Sequence, residues 1–129
     1  KKRVSELGIE RWVTFRAPIY GDEKWAFIQR AKAVLYPSGE EPFGRVPFEA
    51  IAAGSQPVVP DQSGGKEYLE PFMPENIYRS ADLTSLTEVL RRVSTQQPKK
   101  LQEARNSVND ARNWRRVASS VNQLYQEII

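Results

Sequence analysis

Tyr36-Pro37-Ser38-Gly39-Glu40-Glu41-Pro42-Phe43-Gly44-Arg45-Val46-Pro47-Phe48-Glu49-Ala50-Ile51-Ala52-Ala53-Gly54 is the stretch on which the reading of this chain turns. Ahead of it, Ala33-Val34-Leu35-Tyr36 is a short continuous apolar run, the pattern of a strand, and Pro37 ends it. A loop rich in Pro and Gly follows, and a helix is predicted from about Pro47 to Ala53. Pro47 suits the first helical position, where its missing N–H costs nothing, and Gly54 suits the residue just past the end. A helix N-terminus leaves backbone N–H groups pointing outward and carries partial positive charge. A glycine immediately before it lets an anion approach the backbone closely. The stretch therefore reads as a phosphate cradle. Glu41 stands in the loop and Glu49 in the helix's first turn, on either side of a tight Phe43-Gly44 turn.

Outward from this stretch, strand-like and helix-like segments alternate. Lys1 to Leu7 has the pattern of a helix tail, closed by Gly8 as a C-cap. Trp12-Val13-Thr14-Phe15 is β-branched and aromatic, hence a predicted strand, and residues 18–21 a loop. Asp22 is placed to cap a helix running to about Ala33, with Trp25, Phe27, Ile28 and Ala31 as its apolar positions. Beyond the central helix, Pro57-Val58-Val59-Pro60 predicts a buried strand. Gly64-Gly65 predicts a turn into a short helix over Glu67 to Glu70, and Asn76-Ile77-Tyr78 a last strand. Asp82, or Ser80, starts a helix to about Val93. After Pro98, Leu101 to Ile129 forms one helix or two, with a bend near Asn113-Trp114. Strands alternating with helices mean an α/β, Rossmann-like parallel sheet with flanking helices, here in a single domain over residues 1–129. In such sheets ligands bind beyond the carboxyl ends of the strands, and the loop after Val34-Leu35-Tyr36 lies at such an end.

Taken singly, Glu41 and Glu49 are more often solvated surface acids than functional groups. Their setting decides otherwise. Pro37-Ser38-Gly39-Glu40-Glu41-Pro42-Phe43-Gly44, then Glu49-Ala50-Ile51-Ala52-Ala53-Gly54 and Pro57-Val58-Val59, resemble the donor-site signature of retaining glycosyltransferases of group 1 (family 4). Glu41 and Glu49 match its E-x7-E motif; Val13-Thr14-Phe15 looks like the third strand of the family's C-terminal domain, and Gly64-Gly65-Lys66-Glu67 like its Gly-x-x-Glu segment. The resemblance implies a GT-B fold and a donor-binding domain for a nucleotide-diphosphate sugar, a UDP- or GDP-linked hexose, with no cofactor and no metal required.

Carried over residue by residue, Glu49 would accept hydrogen bonds from the ribose diol. The backbone N–H groups of Phe43, Gly44, Arg45 and Val46 would meet the donor sugar and the diphosphate. Glu41, the catalytic candidate, would lie by the transferred sugar and stabilise positive charge at the anomeric carbon. Ser38 and Gly39 would shape the loop, and Gly64 and Lys66 would lie near the phosphates. Phe43's ring reads as a packing group and Glu40 as solvated. The chemistry retains configuration, and none of these residues is assigned as a covalent nucleophile. Three departures from the family pattern stand out: Ala17 where a Gly is usual, two residues (Ser55 and Gln56) between Gly54 and Pro57 where one is usual, and the missing donor at Pro47.

By the same resemblance, the chain lacks the domain's first two strands, with the Arg and Lys that neutralise the diphosphate, and the N-terminal acceptor domain. It is then expected to be inactive alone, to need that missing part as a partner, and to self-associate through unpaired strand edges. The alternative is a noncatalytic sugar-nucleotide-binding or interaction module with the same fold. Retention of both acids and of Phe43-Gly44 favours the enzyme, because a scaffold would need neither.

Composition closes off other classes. With 129 residues the chain supports one domain with its own core. It has no Cys and no His, which excludes a disulfide framework, thiol chemistry, a structural zinc site and a Ser-His triad within it. No apolar run reaches membrane-spanning length and there is no secretory leader, so the expected setting is the cytoplasm. The formal charge of +3 suits phosphate-bearing ligands. Much of the basic excess (Arg91, Arg92, Lys99, Lys100, Arg105, Arg112, Arg115, Arg116) lies toward the C-terminus. That reads as a solvated face, with peripheral contact to an anionic membrane or to a partner domain as the functional alternative. No aromatic or finger spacing accompanies these charges, so nucleic acid is not an expected partner.

Overall fold

The structure, a computed structural model, describes residues 1–39, 41–111 and 114–128. Helix α1 (Lys2–Glu6) and a 3-10 turn over Glu10–Trp12 lead through extended chain into α2 (Gly21–Arg30). Then come β1 (Ala33–Leu35), α3 (Arg45–Ala53), β2 (Gln56–Pro60), α4 (Gly65–Leu69), a 3-10 turn over Pro74–Asn76 and β3 (Ile77–Tyr78). Helices α5 (Leu83–Thr95), α6 (Leu101–Ala111) and α7 (Trp114–Ile128) close the chain. The sheet is parallel in the order β1-β2-β3, with Ala33 beside Gln56, Leu35 beside Val58 and Val59 beside Ile77. This is the α/β, Rossmann-like architecture the sequence pattern predicts.

Strand β2 is buried at every residue, as its run of apolar groups requires in a sheet covered on both faces. Successive strand side chains point to opposite faces, so Val58 and Val59 enter different cores. Val59 packs with Phe48 and Ile51 of α3, Leu69 of α4, Met73, and Ala104 and Val108 of α6. Val58 packs with Tyr78, Val89 and Val93, which brings α5 to the other face. Each fully buried aliphatic side chain stabilises the fold by about 1.5–3 kcal/mol. The residues between Gly54 and Pro57 are absorbed into this centre. Ser55 Oγ lies 2.7 Å from Ile28 O, at the end of α2, and 2.5 Å from Ala31 O. Gln56 Nε2 donates to Gln96 O at 2.7 Å and to Val93 O at 3.3 Å, at the end of α5.

Several expectations are corrected. Trp12–Phe15 is not a strand: the chain there runs from the 3-10 turn into backbone without a ladder, leaving Trp12 75% and Phe15 53% exposed. Strand propensity becomes a strand only where a neighbour supplies hydrogen bonds. Among the described residues the sheet holds β1, β2 and β3, and nothing pairs with the outer edge of β1. With that edge open, β1 is half-buried at Ala33 and Val34 and exposed at Leu35. Helix α2 begins at Gly21, with φ +57°, and not at an Asp22 cap; Asp22 supplies negative charge in the first turn instead. It ends at Arg30, short of Ala33. Helix α3 begins at Arg45, so Pro47 takes the third helical position, where the backbone N–H would still lack an intrahelical acceptor. Glu49 consequently opens the second turn rather than lying in the first. The final helical region is two helices, α6 and α7; of the expected bend near Asn113-Trp114, Asn113 lies outside the described residues. Glu40 lies outside them as well.

Candidate functional site at the carboxyl end of the sheet

All three strands point their carboxyl ends at the same side, and the segments after β1, β2 and β3 meet there. Between the first two lies a cavity of about 530 Å³, lined among others by Gly39, Glu41, Asp61, Gly64 and Lys66. Of the residues expected at the site, it gathers Glu41, Gly39, Gly64 and Lys66; Ser38, Phe43, Gly44, Arg45, Val46 and Glu49 do not line it.

The motif loop is held by its own carboxylate. Gly44 has φ +62°, a conformation that L side chains rarely adopt, and its N–H donates to Glu41 Oε1 at 3.3 Å. A negative group thus already stands on the glycine amide immediately ahead of α3. Among the described residues no side chain caps α3, whose first residues are exposed Arg45 and half-buried Val46. Phe43 stacks on Phe48 with ring centroids 4.8 Å apart and planes 20° from parallel, which fixes the turn to the helix it precedes. Phe48 in turn meets Tyr68 at 4.9 Å. Ser38 sits half-buried in the same loop.

Gly64 has a structural reason to be glycine. Its φ is an ordinary −58°, but a Cβ there would fall 1.7 Å from Pro42 O. The loop after β2 lies directly against the motif loop, and Gly64 N donates to Glu41 O at 3.1 Å. One hydrogen bond and one close approach therefore set where Glu41 stands. Gly65 N donates to Ser63 Oγ at 3.1 Å, which shapes the entry to α4. Lys66 is half-buried and lies 3.9 Å from Glu70 one turn along.

Glu49 faces α2. Its Oε1 accepts from Lys24 Nζ at 2.9 Å in a partly buried ion pair, and Lys24 also lies 5.1 Å from the Trp25 ring centre. The two motif acids are thus each engaged within the chain, one by a backbone amide and one by an ammonium. Lys24 was not singled out from the sequence, where a lysine early in an amphipathic helix looks like any solvated residue. Asp61 was missed too, although it directly follows the carboxyl end of β2. Its Oδ1 accepts from Ser80 Oγ at 2.6 Å and Ser80 N at 2.9 Å, tying the loop after β2 to the segment after β3. The Ser80 hydroxyl, then the Ser80 amide, hold its carboxyl below the usual range, and Lys66 adds to this.

The order of strand, glycine loop, α3 with its paired acids, and the glycine approach of the second loop agrees with one family along almost the whole chain. The family model of the glycosyl transferases group 1 matches residues 1–114. The chain belongs to that family. No curated protein matches it at a significant level. Among solved structures this group 1 domain is similar to sucrose-phosphate synthase from Thermosynechococcus elongatus, at a TM-score of 0.80 and 26% identity. The match covers 98% of this chain and 33% of that one, so the chain spans about a third of that protein's length. The fold is that of a GT-B glycosyltransferase domain. Among the described residues of this group 1 domain no group of His, Cys, Asp and Glu could hold a metal ion, and no helix is long and apolar enough to cross a membrane.

Proposed function

We propose that this domain binds a nucleotide-diphosphate sugar, a UDP- or GDP-linked hexose, at the carboxyl end of its sheet. It serves as the donor side of a retaining family 4 glycosyltransferase working in the cytoplasm on a glycan, lipid or small-molecule acceptor. The observation that carries this is the entry to α3. A helix N-terminus that no described side chain caps, a left-handed glycine before it and a carboxylate already seated on that glycine's amide together describe an anion position.

Donor diphosphate would take over the amides of Gly44, Arg45 and Val46, displacing Glu41 Oε1 from Gly44 N toward the cavity. There Glu41 would face the transferred sugar and the charge that grows at its anomeric carbon. Lys24 pins Glu49 Oε1, which leaves Oε2 to accept from the ribose diol. Lys66 lies on the rim of the same cavity and adds a cation for the phosphates. Backbone amides and side-chain cations meet the diphosphate charge in this scheme, and no metal is assigned. The solved relative is named as a synthase of sucrose phosphate, a glycosidic product, which supports a hexosyl unit as the group transferred.

A noncatalytic sugar-nucleotide-binding module is the second reading, favoured by one fact: both acids are already engaged inside the chain. Titrating a panel of UDP- and GDP-sugars into the complete protein, since this chain is expected to be inactive alone, with free sugar and transfer product followed over time, separates the two. Saturable donor binding with turnover supports the enzyme, binding without turnover supports the module, and no binding of any donor contradicts both.

A further inference from the structure

The amino end of the sheet, opposite the motif loop, carries a second cavity of about 420 Å³. It lies where β2 begins at Gln56, where Asn76 precedes β3, and where the linker after α5 turns through Pro98. Two polar side chains in its wall are unsatisfied. Arg92, near the end of α5, buries Nε and Nη2 with no hydrogen-bond partner; Asn76, only 1% exposed, buries Oδ1 in the same condition. Asn76 Nδ2 is used, donating to Pro57 O at 3.0 Å, so the missing bond is specifically to its carbonyl oxygen. A buried polar group without a partner costs more than an ordinary hydrogen bond returns, and a charged one more still. Folded proteins hold few such groups, and here two share one cavity wall.

We infer that this cavity is a binding site for a phosphate-bearing small molecule, a phosphomonoester or phosphate itself, separate from the donor site. The guanidinium offers two parallel donors on its Nε–Nη2 edge, the geometry that oxyanions accept bidentately. Asn76 Oδ1 is an acceptor and calls for a hydroxyl, which a sugar monophosphate or a hydrogen phosphate supplies together with the oxyanion. Exposed Lys99 and Lys100 line the cavity together with Glu70 and Glu75, and Arg92 leaves one net positive charge in the lining; Lys100 Nζ reaches Pro71 O at 3.5 Å. The volume falls in the range of small-molecule pockets. Because Arg92 Nε and Nη2 and Asn76 Oδ1 are all closed off from solvent, the wall opens as the anion enters, the Arg92 fork turning out of it and uncovering the Asn76 carbonyl. Glu70 is the one residue that lines both this cavity and the one beside Glu41, so occupancy here does not obstruct the donor.

The test is calorimetric titration of inorganic phosphate, and separately of a hexose monophosphate, with the carboxyl-end site saturated by nucleoside diphosphate and ionic strength matched with chloride. Saturable binding is expected, weakened about tenfold or more in Arg92→Met and several-fold in the exposed double variant Lys99→Gln/Lys100→Gln. Binding of both probes assigns the monoester class and binding of phosphate alone the free ion. The Nε–H resonance of Arg92 should shift with either. No saturable heat in the parent protein overturns the inference. So does a heat that both variants leave unchanged. If the nucleoside diphosphate itself does not bind, the titration is read without it, and the two sites stand or fall separately.

Discussion

Replacing Gly64 by Ala perturbs the site without touching any group proposed to meet the donor through its side chain. The added Cβ would fall 1.7 Å from Pro42 O and 2.4 Å from Pro42 C, where real contacts essentially never fall below 3.0 Å. Both neighbours are backbone, so no rotamer relieves the clash, and the two loops must part by more than an ångström. That separation breaks the bond from Gly64 N to Glu41 O, worth about 0.5–1.5 kcal/mol, and adds overpacking strain of about 1–3 kcal/mol. Destabilisation of roughly 2–4 kcal/mol is expected. It should appear as a lower urea midpoint at unchanged slope, because the surface exposed on unfolding is the same. Glu41 moves with the loop, so in the complete enzyme donor turnover should fall further than the affinity for bare nucleoside diphosphate. A Gly64→Ala protein with the parent's midpoint and turnover would refute the loop-to-loop contact as the device that places Glu41.

Lys24→Met should weaken nucleoside-diphosphate binding several-fold, because Glu49 loses the partner that orders it, while stability changes by about 1 kcal/mol or less; Lys24→Arg should retain most of the affinity, and tighter binding in Lys24→Met would show the lysine competing for the carboxylate instead. Asp82 caps α5, its Oδ1 accepting from Ser85 N at 2.9 Å, and this bond first, with Arg79 contributing, holds its carboxyl below the usual range; Ser80 does the same for Asp61. Depressed folded values mean stability that is present above the unfolded pKa, near 4, and lost as pH falls through the folded values. Thermal midpoints should therefore drop below about pH 4, and Asp61→Asn or Asp82→Asn should flatten that drop; an unchanged acid profile would contradict it. The exposed Trp12, Phe15, Trp25, Phe27 and Leu35, with the unpaired edge of β1, should make the 129-residue chain self-associate, which sedimentation equilibrium checks; a monomer at high concentration would count against it.

The sheet was legible because its signals are local. The continuous apolar run of Pro57–Pro60 and the Pro-to-Gly bracket of α3 each state their element within a few residues, and both elements form. Trp12–Phe15 failed because a strand needs a neighbour, and local composition carries no information about who lies alongside. The cap of α2 failed for a related reason: Asp22 has the right chemistry, but Gly21 already makes the turn through a positive φ. Glu41, Gly44 and Glu49 were singled out through the family resemblance of the motif around them; Glu41 lines the cavity, and Glu49 is paired with Lys24 of α2. Lys24, Asp61 with Ser80, and the reason for Gly64 were out of reach. Each depends on segments distant in sequence meeting at the carboxyl end, 25 residues apart for Lys24 and Glu49.

The division of labour between the two acids is the centre of the account, and calorimetry of bare nucleoside diphosphate against Glu49→Ala and Glu41→Ala tests it most directly. Glu49→Ala should lose a charge-assisted hydrogen bond of about 1.5–3 kcal/mol, roughly ten- to a hundredfold in affinity. Glu41→Ala should bind the diphosphate as well as the parent, since its carboxylate leaves Gly44 N when the anion arrives, yet in the complete enzyme it should turn over far more slowly with the sugar donor. Equal losses of diphosphate affinity in the two variants would contradict the assignment.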